Sequence, residues 1–478
     1  MKRFSLGPAS LLALSLLGLS SCSGPVGGPP PPPPGKANFA VTVTDAPPAG
    51  ASFLSFNVPI QSVSLTSTTG SVVNVLSPAS PIVLDMVRLQ SDSALLGTAQ
   101  IAADSYASMS IQLGVVNTVF SNTNSSAIGS CPANSVCSLN SGTPPLQTIT
   151  FASPITISSN TNVGLNLDFN LNNAVTTAAG ITIDFTQPNI LSIPNALQTG
   201  GTLNTIEDFT GVITSVSGSN VTIASGTRGT LTGTVNSSTT YTALASSKTV
   251  CGGNPNASCL AASGTRTVSV DGTVSTSGAV TITEVDFIDD PFTDEIEGVI
   301  YPAGAAGVYN MVVADKVNAT GNSLLNPVSA GAIVSVTFAN GAEFDVDTRN
   351  LLTSAPSGFS SPSDIFAGQE VMLHVQSVSS GTLLNIVADR AVLRYTRVTG
   401  LFNTGSGNSF TFQQTGLPPF FGTFTSAPVV LTVTGVTLFD GGISDLSGLT
   451  NGNTVSIRAL YLHNNLQFPF QAAKVRKH

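Results

Sequence analysis

From Val163 to Leu171 the chain alternates strictly: Val163, Leu165, Leu167, Phe169 and Leu171 are apolar, and Gly164, Asn166, Asp168 and Asn170 stand between them. A period of two residues sends the two sets to opposite faces of an extended strand, so this segment predicts a strand with one face on a core and one in water. Strands of that kind belong to antiparallel sheets covered on one side. Phe39, Val41 and Val43 repeat the pattern ahead of the turn Thr44-Asp45-Ala46-Pro47-Pro48. Charged residues make up only 9% of the chain, while Gly, Ser, Thr, Asn and Val recur, which favours strands and tight turns over helices. The expected fold class is all-β, with an N-terminal antiparallel β-sandwich over residues 37–197. One short helix is expected around Ser93 to Asp104, where Leu95, Leu96 and Ile101 fit no alternation.

The remainder repeats. Phe209-Thr-Gly211-Val-Ile, Ile296-Glu-Gly298-Val-Ile and Val398-Thr-Gly400-Leu-Phe each begin a strand, and a Gly- or Asn-rich turn follows each. Later in each unit another glycine leads into a strand: Gly264 to Val268 and Val270, Gly368 to Val371 and Leu373, Gly452 to Val455 and Ile457. Three tandem small β modules, over residues 206–290, 296–396 and 397–478, explain this better than one long sheet.

The first residues read as an address. Met1-Lys2-Arg3 is a charged start, Leu11 to Leu19 is apolar, and Leu19-Ser20-Ser21-Cys22 resembles the lipobox of bacterial lipoproteins, whose processing would remove residues 1–21 and leave Cys22 lipidated. The apolar stretch is shorter than the ~20 residues a membrane-spanning helix needs. Residues 22–36 hold the lipidated cysteine and a linker with unbroken proline from Pro29 to Pro34, a polyproline II spacer. Ser23, rather than Asp, after the cysteine points to the outer membrane under the enteric sorting rule. With 16 Lys and Arg against 25 Asp and Glu, nothing supports the counterion release on which nucleic-acid binding depends, so no nucleic-acid partner is expected.

Of the five cysteines, four fall into local pairs in turn-rich segments, Cys131 with Cys137 and Cys251 with Cys259. In an exported protein these predict two disulfides. The competing zinc reading needs converging ligands, and neither pair has a nearby histidine. The three histidines, His374, His463 and His478, read as surface imidazoles. No nucleophile elbow, Walker loop or His-Glu-x-x-His motif occurs.

One cluster stands out. Glu284, Asp286, Asp289, Asp290, Asp294, Glu295 and Glu297 follow one another without an intervening Lys or Arg, at the junction of the first two modules. Crowded carboxylates suit Ca²⁺, which takes six to eight oxygens, although the spacing is not that of an EF-hand. A solvated, self-repelling linker is the plainer reading and the preferred one. No other cofactor is expected.

A family resemblance is carried by Phe39 to Pro47, Val58 to Leu65, Ile82 to Asp85, Leu95 to Gly97, Asp104 to Tyr106 and Ile111 to Leu113. This order resembles the N-terminal domain of an uncharacterised bacterial lipoprotein family, over residues 39 to about 190, with Thr-Asp-Ala-Pro its most specific element. The later modules resemble a second domain of unknown function found in tandem in exported bacterial proteins, which implies small OB-like barrels. Neither resemblance implies a catalytic residue.

The function expected is that of a cell-envelope lipoprotein, held to the membrane by its lipid, whose rod of β-domains binds or scaffolds an envelope protein or a glycan without catalysis. The alternative is a carbohydrate-binding or carbohydrate-active surface protein, against which stand the absence of Trp and a count of only six Tyr. A subunit of a surface fibre is a third class. Metabolic labelling with a palmitate analogue should mark the wild-type protein and leave Cys22→Ala unlabelled. Label persisting in the variant would refute the anchor.

Overall fold

The computed structural model describes residues 35–478, apart from 49, 52, 79–80, 123–124, 177–179, 245–252, 262–265, 290–293, 303–306, 319–322, 350, 352–357, 414–415, 418–427 and 464–468. Two sheets face each other across the N-terminal core. In one, Lys36–Ala46 lies between Asn162–Asn170 and Ala94–Ala102. In the other, Phe53–Ser67 pairs with Asp104–Leu113 and Asn117–Asn122. Phe39, Val41, Val43 and Leu167 from the first sheet meet Phe56, Val58, Ile60 and Ile111 from the second in one apolar core.

Three expectations are corrected here. The first sheet is mixed, because Asn162–Asn170 runs parallel to Lys36–Ala46, with Val41 opposite Leu165. Alternation is the same in parallel and antiparallel strands, so the sequence pattern does not distinguish them. The segment expected as a helix is the strand Ala94–Ala102, whose pairing slips at Leu96 because Val41 faces Gly97 and Thr42 faces Leu95. That bulge breaks the period of two. The helical turn lies earlier, at Met86–Leu89, where the Asp85 carboxylate accepts from the Val87 N–H. Finally, the polar face of Asn162–Asn170 is not wet: a Cβ on Gly164 would strike Leu203, and Asn204 donates to Asn166 at 3.1 Å.

Each of the three later modules is a five-stranded ring. Its first strand, Thr202–Ser217, Glu295–Pro302 or Tyr395–Ser406, pairs with the second and the fourth. The fifth strand then lies antiparallel to the fourth and parallel to the third. The order 1-2-3-5-4-1 is the connectivity of an OB-type Greek-key barrel.

The repeated glycine of the first strand now has a steric cause. A Cβ on Gly211 would lie 2.4 Å from the Ala224 carbonyl oxygen, one on Gly298 2.2 Å from that of Val312, and one on Gly400 2.4 Å from the Phe412 ring. The second strand crosses the first so closely that only hydrogen fits.

The domains do not form an extended rod. Leu54 and Val119 of the sandwich join Val299 and Val312 of the second barrel in one apolar cluster. Val212 and Ile288 of the first barrel meet Val317, Met372 and Val392 of the second. Leu460 and Leu462 of the third enter the core of the second. Gly298→Ala should lower stability by ~1–3 kcal/mol through overpacking, read as a lower urea midpoint with unchanged slope. An unchanged midpoint would contradict the steric account.

Candidate functional site

Where the sandwich and the three barrels meet, the chain buries a network of charges. Its origin is a bulge in the first barrel: pairing of Thr202–Ser217 with Thr267–Ser275 slips between Ile206 and Phe209, and Asp208 adopts a positive φ of 51°. In a regular strand Glu207 and Asp208 would point to opposite faces. The bulge lets both enter the junction, and each is almost wholly buried.

Asp208 is surrounded by guanidinium groups from the second and third barrels. Its Oδ1 lies 2.5 Å from Arg349 and 3.5 Å from Arg394, and its Oδ2 lies 2.7 Å from both Arg397 and Arg458. Glu207 accepts from Lys474 at 2.8 Å and Arg458 at 3.2 Å. Arg349 also reaches Asp271 at 2.6 Å and Asp347 at 3.1 Å, while Arg394 donates to Asp347. The sandwich contributes Asp92, which accepts from Arg397 at 2.8 Å, and Arg88, which holds Glu370 at 2.8 Å and Glu297 at 3.0 Å. Arg458 also lies over the Tyr395 ring, 4.5 Å from its centroid.

Burial by itself would raise the Asp208 pKa, but the charges of Arg349, Arg458, Arg397 and Arg394 outweigh it and hold the carboxyl well below its usual range. In Glu297, burial is likewise outweighed by Arg88 and Arg394, which bring its pKa down to about 2. Asp286 goes the other way. Burial and the neighbouring Asp347 push it up to about 8 against the nearby Arg349, Arg394 and Thr242. Its Oδ1 accepts from Thr242 at 2.6 Å, Oδ2 has no hydrogen-bond partner, and Arg349 and Arg394 stand back at 3.8 and 4.0 Å.

The described acids of this segment are thus neither exposed as on a solvated linker nor gathered in one cluster. Asp286 and Glu297 belong to the buried network, Glu295 pairs with Arg390 at 2.7 Å, and Asp294 accepts from the Ser323 hydroxyl and the Leu324 N–H, both at 2.7 Å. Glu284 is partly buried, which pushes its pKa up to about 7. Asp289 ends a strand with its side chain outside the described residues, as is all of Asp290. Glu284 and Asp286 separate from Glu295 and Glu297 because they sit on two strands, Val280–Asp289 and Glu295–Pro302, of different barrels. Among the described residues no three His, Cys, Asp or Glu side chains are placed to hold a metal ion.

Cys131 and Cys137 are disulfide-bonded, with their Cα atoms 5.8 Å apart. Cys259 is also disulfide-bonded, whereas Cys251 and Cys22 lie outside the described residues. The histidines are dispersed: His374 bonds Asp389, His463 stacks on Phe366 at 3.6 Å, and His478 bonds Ser456 at 2.7 Å.

Sequence reasoning missed the cations. Arg394 follows Ala391-Val-Leu, between the end of one strand and the start of the next at Tyr395, and Arg458 sits between Ile457 and Ala459 within an apolar strand. A charge in such a position is buried, and a buried charge needs a partner.

Beside the network lies a pocket of about 90 Å³, bounded by the sandwich and the first two barrels and lined by Leu84, Arg88, Leu95, Phe209, Arg228 and Ala314, among others.

Residues 36–189 match the family described as a domain of unknown function (DUF4382). That span holds most of the sandwich, including Arg88 and Asp92. A search of curated proteins finds no match.

Two outcomes follow from these charges. Asp208→Asn removes the carboxylate between four buried guanidiniums and should cost ~3–5 kcal/mol, measured by urea unfolding. A cost near that of an ordinary surface substitution would refute its central place. Asp286 keeps its proton in the native state up to about pH 8, while in the unfolded chain it ionises near 3.8. Between those values the native state binds more protons, so this group's contribution falls as pH rises. The urea midpoint should therefore drop between pH 5.5 and 8 less steeply in Asp286→Asn than in the wild type. Equal slopes would show that Asp286 is ionised in both states.

Proposed function

We propose that this protein is a cell-envelope lipoprotein, anchored through Cys22 to the outer membrane, that presents its sandwich and barrels as one rigid unit for binding or scaffolding and performs no catalysis. The observation that carries the reading is the buried charge junction. It fixes the relative placement of domains that a flexible tether would leave independent. A disulfide between Cys131 and Cys137 suits an oxidising compartment outside the cytoplasm. Among the described residues no helix is long and apolar enough to cross a membrane. The lipobox remains the basis for the anchor.

The network acids described above are held by arginines or lysine, or carry raised pKa values from burial, and they are enclosed between domains. General acid–base chemistry instead needs such groups within hydrogen-bond reach of a substrate. The surfaces, above all the loops at the barrel ends, are where contact with partners falls. One observation favours the carbohydrate alternative: a groove in the third barrel is lined by Asn403, Thr404, Ser406, Ser447, Thr450 and Asn451, whose amides and hydroxyls suit sugar hydroxyls.

The purified full chain should turn over none of a panel of polysaccharide, peptidoglycan, ester and peptide substrates. It should also unfold in one transition that coincides for near- and far-ultraviolet circular dichroism. Turnover abolished by a single Asp or Glu substitution would overturn the non-catalytic reading. Separate transitions for separate domains would overturn the rigid unit.

A further inference from the structure

We propose that the pocket between the sandwich and the first two barrels is a binding site for a small neutral molecule with a short alkyl group. The inference goes beyond the scaffolding role and does not rest on the lipid anchor.

The pocket is bounded by three domains and has an apolar floor. Leu84 and Leu89 come from the sandwich, Ile206, Phe209 and Leu231 from the first barrel, and Ala314 from the second. All six are buried. The exposed Thr230 and the half-buried Val83 and Ala330 form the rim. Elsewhere the barrels pack so closely that Gly211 and Gly298 leave no room for a Cβ, whereas here leucine, isoleucine and phenylalanine surround unfilled space. Wall atoms beside such a hole forfeit dispersion contacts, which an apolar guest restores. Pockets of this kind, apolar and set at a domain seam, are the usual form of a small-molecule site.

The charged groups of the wall select against an ionic guest. Asp85 already accepts from the N–H groups of Phe56 and Val87 at 3.2 and 3.1 Å. Arg88 is held by Glu297 and Glu370, and Arg228 by the Asp208 carbonyl and, at 4.0 Å, by Asp315. Nε and Nη1 of Arg88 and Oδ1 of Asn57 lack partners, but they have almost no accessible surface and so offer a guest nothing. A charged guest would exchange its hydration for groups that are already paired, a cost that an alkyl group does not meet.

Size sets the length of that group. An apolar cavity of ~150 Å³ takes the six carbons of benzene, so a pocket of about 90 Å³ suits about four. A helix or a second copy of the chain is too large to enter.

The test is nuclear magnetic resonance of the full chain labelled at its isoleucine methyl groups, because Ile82 and Ile206 line the pocket. 1-Butanol should shift these two signals saturably and should bind at least ~10-fold more tightly than sodium butyrate. Ala314→Leu, which fills the pocket and leaves every charge in place, should abolish the shifts while circular dichroism stays unchanged. Leu231→Ala, which enlarges the pocket, should raise the affinity for benzene relative to 1-butanol by at least ~5-fold. The absence of saturable shifts with 1-butanol, or butyrate binding just as tightly, would overturn the proposal. So would 1-butanol shifts that survive Ala314→Leu, or a benzene preference unmoved by Leu231→Ala.

Discussion

One carboxylate, Asp208, stands within ion-pair distance of Arg349, Arg394, Arg397 and Arg458, and the relative placement of the domains depends on it. Asp208 belongs to the first barrel, Arg349 and Arg394 to the second, and Arg397 and Arg458 to the third. Asp92 of the sandwich closes on Arg397 from outside. Burying so many charges gives little net stability, because desolvation consumes most of the Coulombic gain. What the arrangement supplies is discrimination: a domain docked a few ångströms away would leave guanidiniums buried and unpaired. The backbone at Asp208 is shaped for this, since the bulge and the positive φ turn two successive acids toward one junction.

The barrels share a topology and a glycine but not a charge pattern. To the network centred on Asp208 the first barrel brings the acids Glu207, Asp208, Asp271 and Asp286, and the third brings the bases Arg397, Arg458 and Lys474. The second barrel, between them in sequence, carries both signs in Glu297, Asp347, Arg349, Glu370 and Arg394. Repeats of one fold can dock in wrong pairs as readily as right ones unless something distinguishes them. Here two copies of the first barrel would set acid against acid at the junction, and two copies of the third would set base against base. The polarity selects one order of assembly.

Much of the fold was legible because it follows from local rules. Period two in Val163 to Leu171 gave a strand, and the glycines at 211, 298 and 400 marked the start of three equivalent units. What failed was non-local or broken the rule locally. Parallel pairing of Lys36–Ala46 with Asn162–Asn170 leaves no trace in either strand's alternation. The bulge at Leu96 disrupted the period and made a strand resemble a helical segment. The acidic run was visible, but its meaning lay in cations far along the chain: Arg88 reaches Glu297, and Arg349 approaches Asp286. A run of like charges reads as a solvated segment when its partners are out of view, and becomes a folding determinant when they are placed.

The same residue joins the junction to the pocket. Arg88 spends one nitrogen on Glu297 and Glu370 of the second barrel and presents a wall to the pocket that the sandwich shares with the first two barrels. A ligand enclosed by these walls would bind only the docked arrangement, because separating the domains dismantles them. By linkage, a ligand that binds the docked state alone strengthens docking by the same free energy with which docking favours the ligand. A pocket at a seam therefore differs from a pocket inside a single barrel: its occupancy reports on, and acts on, the placement of whole domains.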